Sequence, residues 1–124
     1  MENINSSKHI VLGVGNNDLS SKSVDICIQK MKQLIQISKG KGSIHVLPSF
    51  ERIGKKDYNE NVHQFNHATQ NLCESQSDVF FINNSQSINH NYRSAFQRDG
   101  IHFSETGKRA FVRLIKTHLN MNPT

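Results

Sequence analysis

Ile10-Val11-Leu12-Gly13-Val14 runs directly into Gly15-Asn16-Asn17-Asp18. A short continuous apolar run that breaks into turn formers reads as a strand buried on both faces, followed by a sharp loop, and parallel sheets are built from such strands. Downstream, between about Ser21 and Lys39, Val24, Cys27, Ile28, Met31, Leu34 and Ile35 recur every three or four residues, and Gly40 supplies a stop. This spacing predicts an amphipathic helix. Ile26 and Ile37 fall on its other side, as two exposed apolar residues or as a second contact surface.

Ser43-Ile44-His45-Val46-Leu47 reads as a second strand, ended by Pro48, which has no N–H for a central ladder. A loop to about Asp57 leads to a helix from about Tyr58 to Glu74, with Val62, Phe65, Thr69, Leu72 and Cys73 on one side. The strand Asp78-Val79-Phe80-Phe81-Ile82 follows. Asn83 to Arg98 is polar with little periodicity and leads into Asp99-Gly100-Ile101-His102, after which Ser104 can cap a last helix through about Leu119. Three strands alternating with helices imply right-handed crossovers. They predict a three-layer α/β domain, a parallel sheet with flanking helices, whose functional residues sit at the C-terminal ends of the strands.

The 124 residues, 35% hydrophobic and 20% charged, fit a single domain over 1–124. Fourteen Asn and fourteen Ser lower the mean hydropathy to -0.59 and predict a thin core. The balance of 15 Lys and Arg against 10 Asp and Glu favours phosphate-bearing partners without requiring one. Cys27 and Cys73 have neither disulfide-scaffold nor zinc spacing, which fits a reducing compartment and no metal. No apolar stretch resembles a signal peptide or approaches the ~20 residues that span a bilayer. The expectation is a cytoplasmic protein with no membrane association, in which the Asn5-Ser6-Ser7 and Asn83-Asn84-Ser85 sequons carry no meaning.

Two loops carry residue types that acyl transfer needs. In Gly15-Asn16-Asn17-Asp18, an Asn amide at the end of a strand can donate to a developing oxyanion, and Gly lets backbone and substrate come close; the same residues also make an ordinary turn. In Asp99-Gly100-Ile101-His102, a carboxylate three residues before a histidine can fold back onto Nδ1 and leave Nε2 facing a nucleophile; it is equally a surface Asp and a histidine at a helix entrance.

Taken together, in this order and on these elements, the two loops resemble the SGNH (GDSL-type) hydrolase family, with its Gly-x-Asn-Asp and Asp-x-x-His blocks. The resemblance implies Asn17, with Gly15 beside it, as the oxyanion and substrate-binding element, Asp99 as the orienting acid and His102 as the general base. Ser104 and Gly107 fit the family's continuation into its final helix. Leu47-Pro48, the stretch from Asn61 to Cys73, and Phe80-Phe81-Ile82-Asn83-Asn84-Ser85 resemble SGNH-like proteins common in animal genomes, some encoded by LINE-type retrotransposons.

One block of the family pattern has no match. No Gly-Asp-Ser occurs, and Ser6 and Ser7 have neither Gly-Asp nor a strand ahead of them. The resemblance therefore implies a flavodoxin-like sheet without its first two strands, N-terminally incomplete, with the strand at Ile10 to Val14 left as an edge. Such an edge invites self-association or a partner that completes the sheet. The expected function is that of an SGNH hydrolase-like domain related to serine esterases of O-acyl esters, needing no cofactor and inactive alone for want of the serine. The alternative is a non-catalytic interaction or nucleic-acid-associated module of retroelement origin.

Other signals are weaker. His63 and His67 are four apart on a helix, but Gln64 excludes His-Glu-x-x-His and both belong on a solvated face. Gly13-Val14-Gly15 lacks a third glycine, because Asp18 stands there, and Lys39-Gly40-Lys41-Gly42 lacks the Walker pattern. Lys108, Arg109, Arg113 and Lys116 share one side of the last helix, opposite Phe111 and Leu114, either as a solvated face or as a phosphate contact without aromatic stacking residues.

Overall fold

A computed structural model of the chain describes residues 8–14, 16–83 and 88–121, the side chains of residues 16 and 17 apart. Three strands, β1 (His9–Leu12), β2 (Ser43–Val46) and β3 (Val79–Phe81), pair in parallel in the order β1-β2-β3, with Ile44 in register with Ile10 and Val79. Four helices accompany them: α1 (Asn16–Ser21), α2 (Val24–Ser38), α3 (Lys56–Glu74) and α4 (Glu105–Met121), with a 3₁₀ turn at Arg93–Ala95. Right-handed crossovers between consecutive neighbours carry both connecting helices over the same face of the sheet. The packing agrees: Cys27, Met31 and Ile35 of α2 and Val62, Phe65 and Cys73 of α3 bury themselves with Ile44, Val46 and Val79. The other face of β2 meets α4, where His45 touches His118. These are the three layers the sequence predicted, in a parallel α/β sheet.

A second apolar cluster holds α4 in place. Phe50, Ile88, Ala95 and Phe96 are buried there, with Phe103, Phe111 and Leu114 packed against them. Phe50 meets the rings of Phe103 and Phe111 edge-on at 5.3 and 5.7 Å, the T-shaped geometry that aromatic quadrupoles favour.

Two local expectations are corrected. The Ile10 strand is not buried on both faces, since Val11 of β1 is 40% exposed, while its position as an outer strand of the described sheet is the edge expected from the resemblance. The helix expected from about Ser21 to Lys39 is present as α2, started by the Ser23 hydroxyl, which accepts the Ile26 N–H at 3.2 Å, but the Asn16-Asn17-Asp18 stretch expected as a loop is itself the first turn of a short helix, α1. Ile26 and Ile37 are exposed, and no described helix is long and apolar enough to cross a membrane.

Gly107 sets how α4 sits. A Cβ there would lie 2.0 Å from the Ala95 carbonyl oxygen and 3.0 Å from Phe103 Cβ, so the helix rests on backbone at a distance no side chain permits. In a solvent-facing helix, Gly to Ala would gain about 1 kcal/mol. Gly107→Ala is expected instead to cost about 1–3 kcal/mol by overpacking, read as a lower urea midpoint; a raised midpoint would mean that α4 does not press on the turn.

Candidate active site

The loop between Phe96 and Phe103 closes on itself. Those two residues form an antiparallel bridge, Gln97 N–H donates to the His102 carbonyl at 2.8 Å, and Gly100 N–H donates to the Gln97 carbonyl at 2.9 Å. Gly100 adopts φ +72°, a region L side chains rarely enter, and a Cβ there would stand 3.0 Å from Ile53 Cβ. Ile53 N–H donates to the Gly100 carbonyl at 2.9 Å. That bond ties the loop to the segment leaving β2, which puts it at the C-terminal end of the sheet, where ligands of parallel α/β folds bind.

Asp99 and His102 are brought together as the sequence expected. Asp99 Oδ1 accepts the backbone N–H groups of Ile101 at 2.9 Å and His102 at 3.0 Å, while Oδ2 pairs with His102 Nδ1 at 2.5 Å. The His102 hydrogen bond, helped by the two backbone N–H groups, holds the Asp99 carboxyl down at about 2. With the proton on Nδ1 shared with a carboxylate, Nε2 keeps its lone pair. It makes no hydrogen bond to a described residue, and the ring is 71% exposed. An imidazole held in this way can act as a general base toward a group that reaches it.

Gly15 and the Asn17 side chain lie outside the described residues; the Asn17 backbone is in the first turn of α1, directly after the exit from β1. Asp18 of the same block pairs with Lys30 of α2 at 3.2 Å. Neither cysteine offers a nucleophile. Both are buried, and burial raises both thiols, Cys73 to about 11.

Two histidine clusters escaped sequence reading. Glu51, buried just past β2, accepts the His90 backbone N–H at 2.8 Å and lies 2.7 Å from His90 Nδ1 and 2.6 Å from His63 Nε2. Burial pushes this carboxyl up, yet the bonds to His90 and His63 outweigh it and leave it below the usual glutamate range. His63 and His67 both lie on the exposed side of α3, as expected, with His63 paired to Glu51 from there. The second cluster joins His9, Ser43, His45 and His118 across the sheet. No periodicity could have shown either, since each partner comes from a different element. Among the described residues, no three His, Cys, Asp or Glu side chains are grouped so as to hold a metal ion.

No family model and no curated protein matches the chain. Solved structures do. A Streptococcus pneumonia protein described as a platelet activating factor superposes with a TM-score of 0.76 at 21% identity, over 90% of this chain and 59% of its own. A GDSL-like lipase from Bacteroides thetaiotaomicron gives 0.73 at 16% identity, over 90% and 61%. A Bacteroides fragilis protein described as an acylhydrolase gives 0.71 at 14% identity, over 91% and 61%. The fold is thus the α/β fold of GDSL-like, or SGNH, hydrolase domains, and the chain spans about three-fifths of the length of these structures.

In a carboxyl-carbon NMR titration, Asp99 is expected to titrate near pH 2. His102→Ala should move it part of the way toward the ordinary aspartate value of about 3.9, because the two backbone bonds persist. An Asp99 that titrates normally in the unaltered chain would mean the pair is not formed.

Proposed function

We propose that this chain carries the acid–base part of an SGNH-type hydrolase of O-acyl esters. The observation that supports it most is the Asp99–His102 pair, held by a closed loop at the C-terminal end of a GDSL-like sheet. In this reading His102 Nε2 takes the proton of a serine hydroxyl as that oxygen attacks the ester carbonyl, and Asp99 stabilises the imidazolium that forms. Asn17, with Gly15 at its side, donates to the oxyanion. His102 then protonates the departing alcohol, and water, deprotonated by the same ring, releases the acid.

The serine comes from outside these 124 residues, which contain no Gly-Asp-Ser. The free edge of β1 is the place for the polypeptide that brings it, since an outer strand leaves a row of backbone groups to pair. Two buried free cysteines suit a reducing, cytoplasmic setting. A second reading, a nucleic-acid-associated module of retroelement origin, draws on the side of α4 where Lys108, Arg109, Arg113 and Lys116 surround the exposed Val112. Retention of nucleic acid that is lost with charge-neutral substitutions at these four positions would favour it.

Intact-mass measurement after a fluorophosphonate probe is expected to show no adduct on the chain alone; a His102-dependent adduct would place the nucleophile within it. Joined behind the Gly-Asp-Ser segment of the Bacteroides thetaiotaomicron lipase, the chain is expected to hydrolyse a short-chain aryl ester. There His102→Ala should lower kcat on the order of 10⁴-fold or more. Turnover unchanged by that substitution would remove the pair from the chemistry.

A further inference from the structure

Ser43 and His45 alternate with Ile44 and Val46 along β2, so they share the face turned away from α2 and α3. Parallel register sets His9 beside Ser43 and Phe80 beside His45. From above, α4 brings His118 onto the same point. His45 is 0% exposed and spends both ring nitrogens on other imidazoles: Nε2 lies 2.8 Å from His9 Nδ1, and Nδ1 lies 2.8 Å from His118 Nε2. Ser43 Oγ stands 3.1 Å from His45 Nε2 and 3.3 Å from His9 Nδ1. The rings are strung in series, so their nitrogens do not converge on one point as metal ligands would. What such a chain holds is protons.

Counting hydrogens defines its capacity. Each of the two N···N contacts takes one hydrogen, and each outer nitrogen, His9 Nε2 and His118 Nδ1, takes at most one more. Three neutral rings carry three hydrogens, so no more than a fourth fits without breaking a contact. A fifth places two N–H groups nose to nose at 2.8 Å and two positive rings in series. On one side, His9 belongs to a strand held by backbone bonds at Ser43 and Leu47. On the other, the last two turns of α4 border a cavity of about 400 Å³, with Cys73, Glu74, Phe80, Leu114 and Met121 among its walls.

We propose that this imidazole chain is an acid-sensitive latch: on mild acidification the second added proton parts His118 from His45 and releases the C-terminal half of α4, residues 114–121, from the sheet. Among the described residues, the charged and titratable groups that face the chain are His9 from β1, Asp78 from the turn before β3 and His118 from α4, with Glu74 from the end of α3 lining the adjoining cavity. Asp78 favours a charge on His45, but burial and the two neighbouring rings outweigh it and hold His45 down to about 4; burial and His9 also hold His118 below its ordinary value. Both rings thus bind protons more weakly docked than released. The docked state keeps its full advantage above about pH 6.5 and loses it as pH falls toward 4, by up to about tenfold per pH unit for each ring.

Amide hydrogen exchange, corrected for its intrinsic pH dependence, tests the latch between pH 7.5 and 5. Protection of residues 114–121 is expected to fall by at least about tenfold while that of α2 holds. In His118→Phe, which keeps an apolar ring in place, and in His118→Gln, the step should disappear, with far-UV circular dichroism confirming that both variants are folded. Unchanged protection at pH 5 would overturn the latch, as would the same loss in His118→Phe.

Discussion

Parallel pairing in consecutive order governs the rest of this structure. Because each crossover must be right-handed, both helices that join the strands lie over one face of the sheet. That face receives the apolar half of every strand and most of the hydrophobic core. The opposite face of β2 is left to a single helix, which arrives only after the third strand and a long irregular segment. Its cover is accordingly polar, with Ser43, His45 and His118 where an α/β sheet ordinarily buries aliphatic side chains.

The irregular segment is also what makes a site. A stretch with little secondary structure of its own acquires rigidity by closing the Phe96–Phe103 bridge, by donating and accepting at Gly100 and Ile53, and by seating Gly107 on Ala95. Asp99 then satisfies two backbone N–H groups with one oxygen and His102 with the other, so the imidazole's orientation is set by the loop backbone and needs no burial. The ring stays exposed with its other nitrogen unbonded among the described residues.

The Glu51 cluster shows the complementary case. There a buried carboxylate is kept ionised by three hydrogen bonds from residues distant in sequence, and two imidazoles gain a fixed orientation from a loop, a helix and a turn that meet only in the folded chain. His45 lies between two further imidazoles, and burial opposes its charge as it opposes that of Glu51, but here the neighbouring rings add to burial where at Glu51 the hydrogen bonds outweigh it.

Local pattern was enough for the three strands, the amphipathic stripes of α2 and α3, the cap at Ser104 and the Asp99–His102 pair, because each depends on residues within a turn or two of one another. Turn-forming residues hid α1, where Asn16-Asn17-Asp18 read as a loop and yet form a short helix that ends before the Ser23 cap of α2. Apolar composition alone suggested a strand buried on both sides at Ile10, but burial depends on which strands and helices lie alongside, and among the described strands β1 has one neighbour. The sequence by itself determined the order of elements and the Asp99–His102 contact. Only the tertiary structure decided the partners of Glu51 and the imidazole chain through His45, since each is a contact between segments whose spacing along the chain carries no record of it.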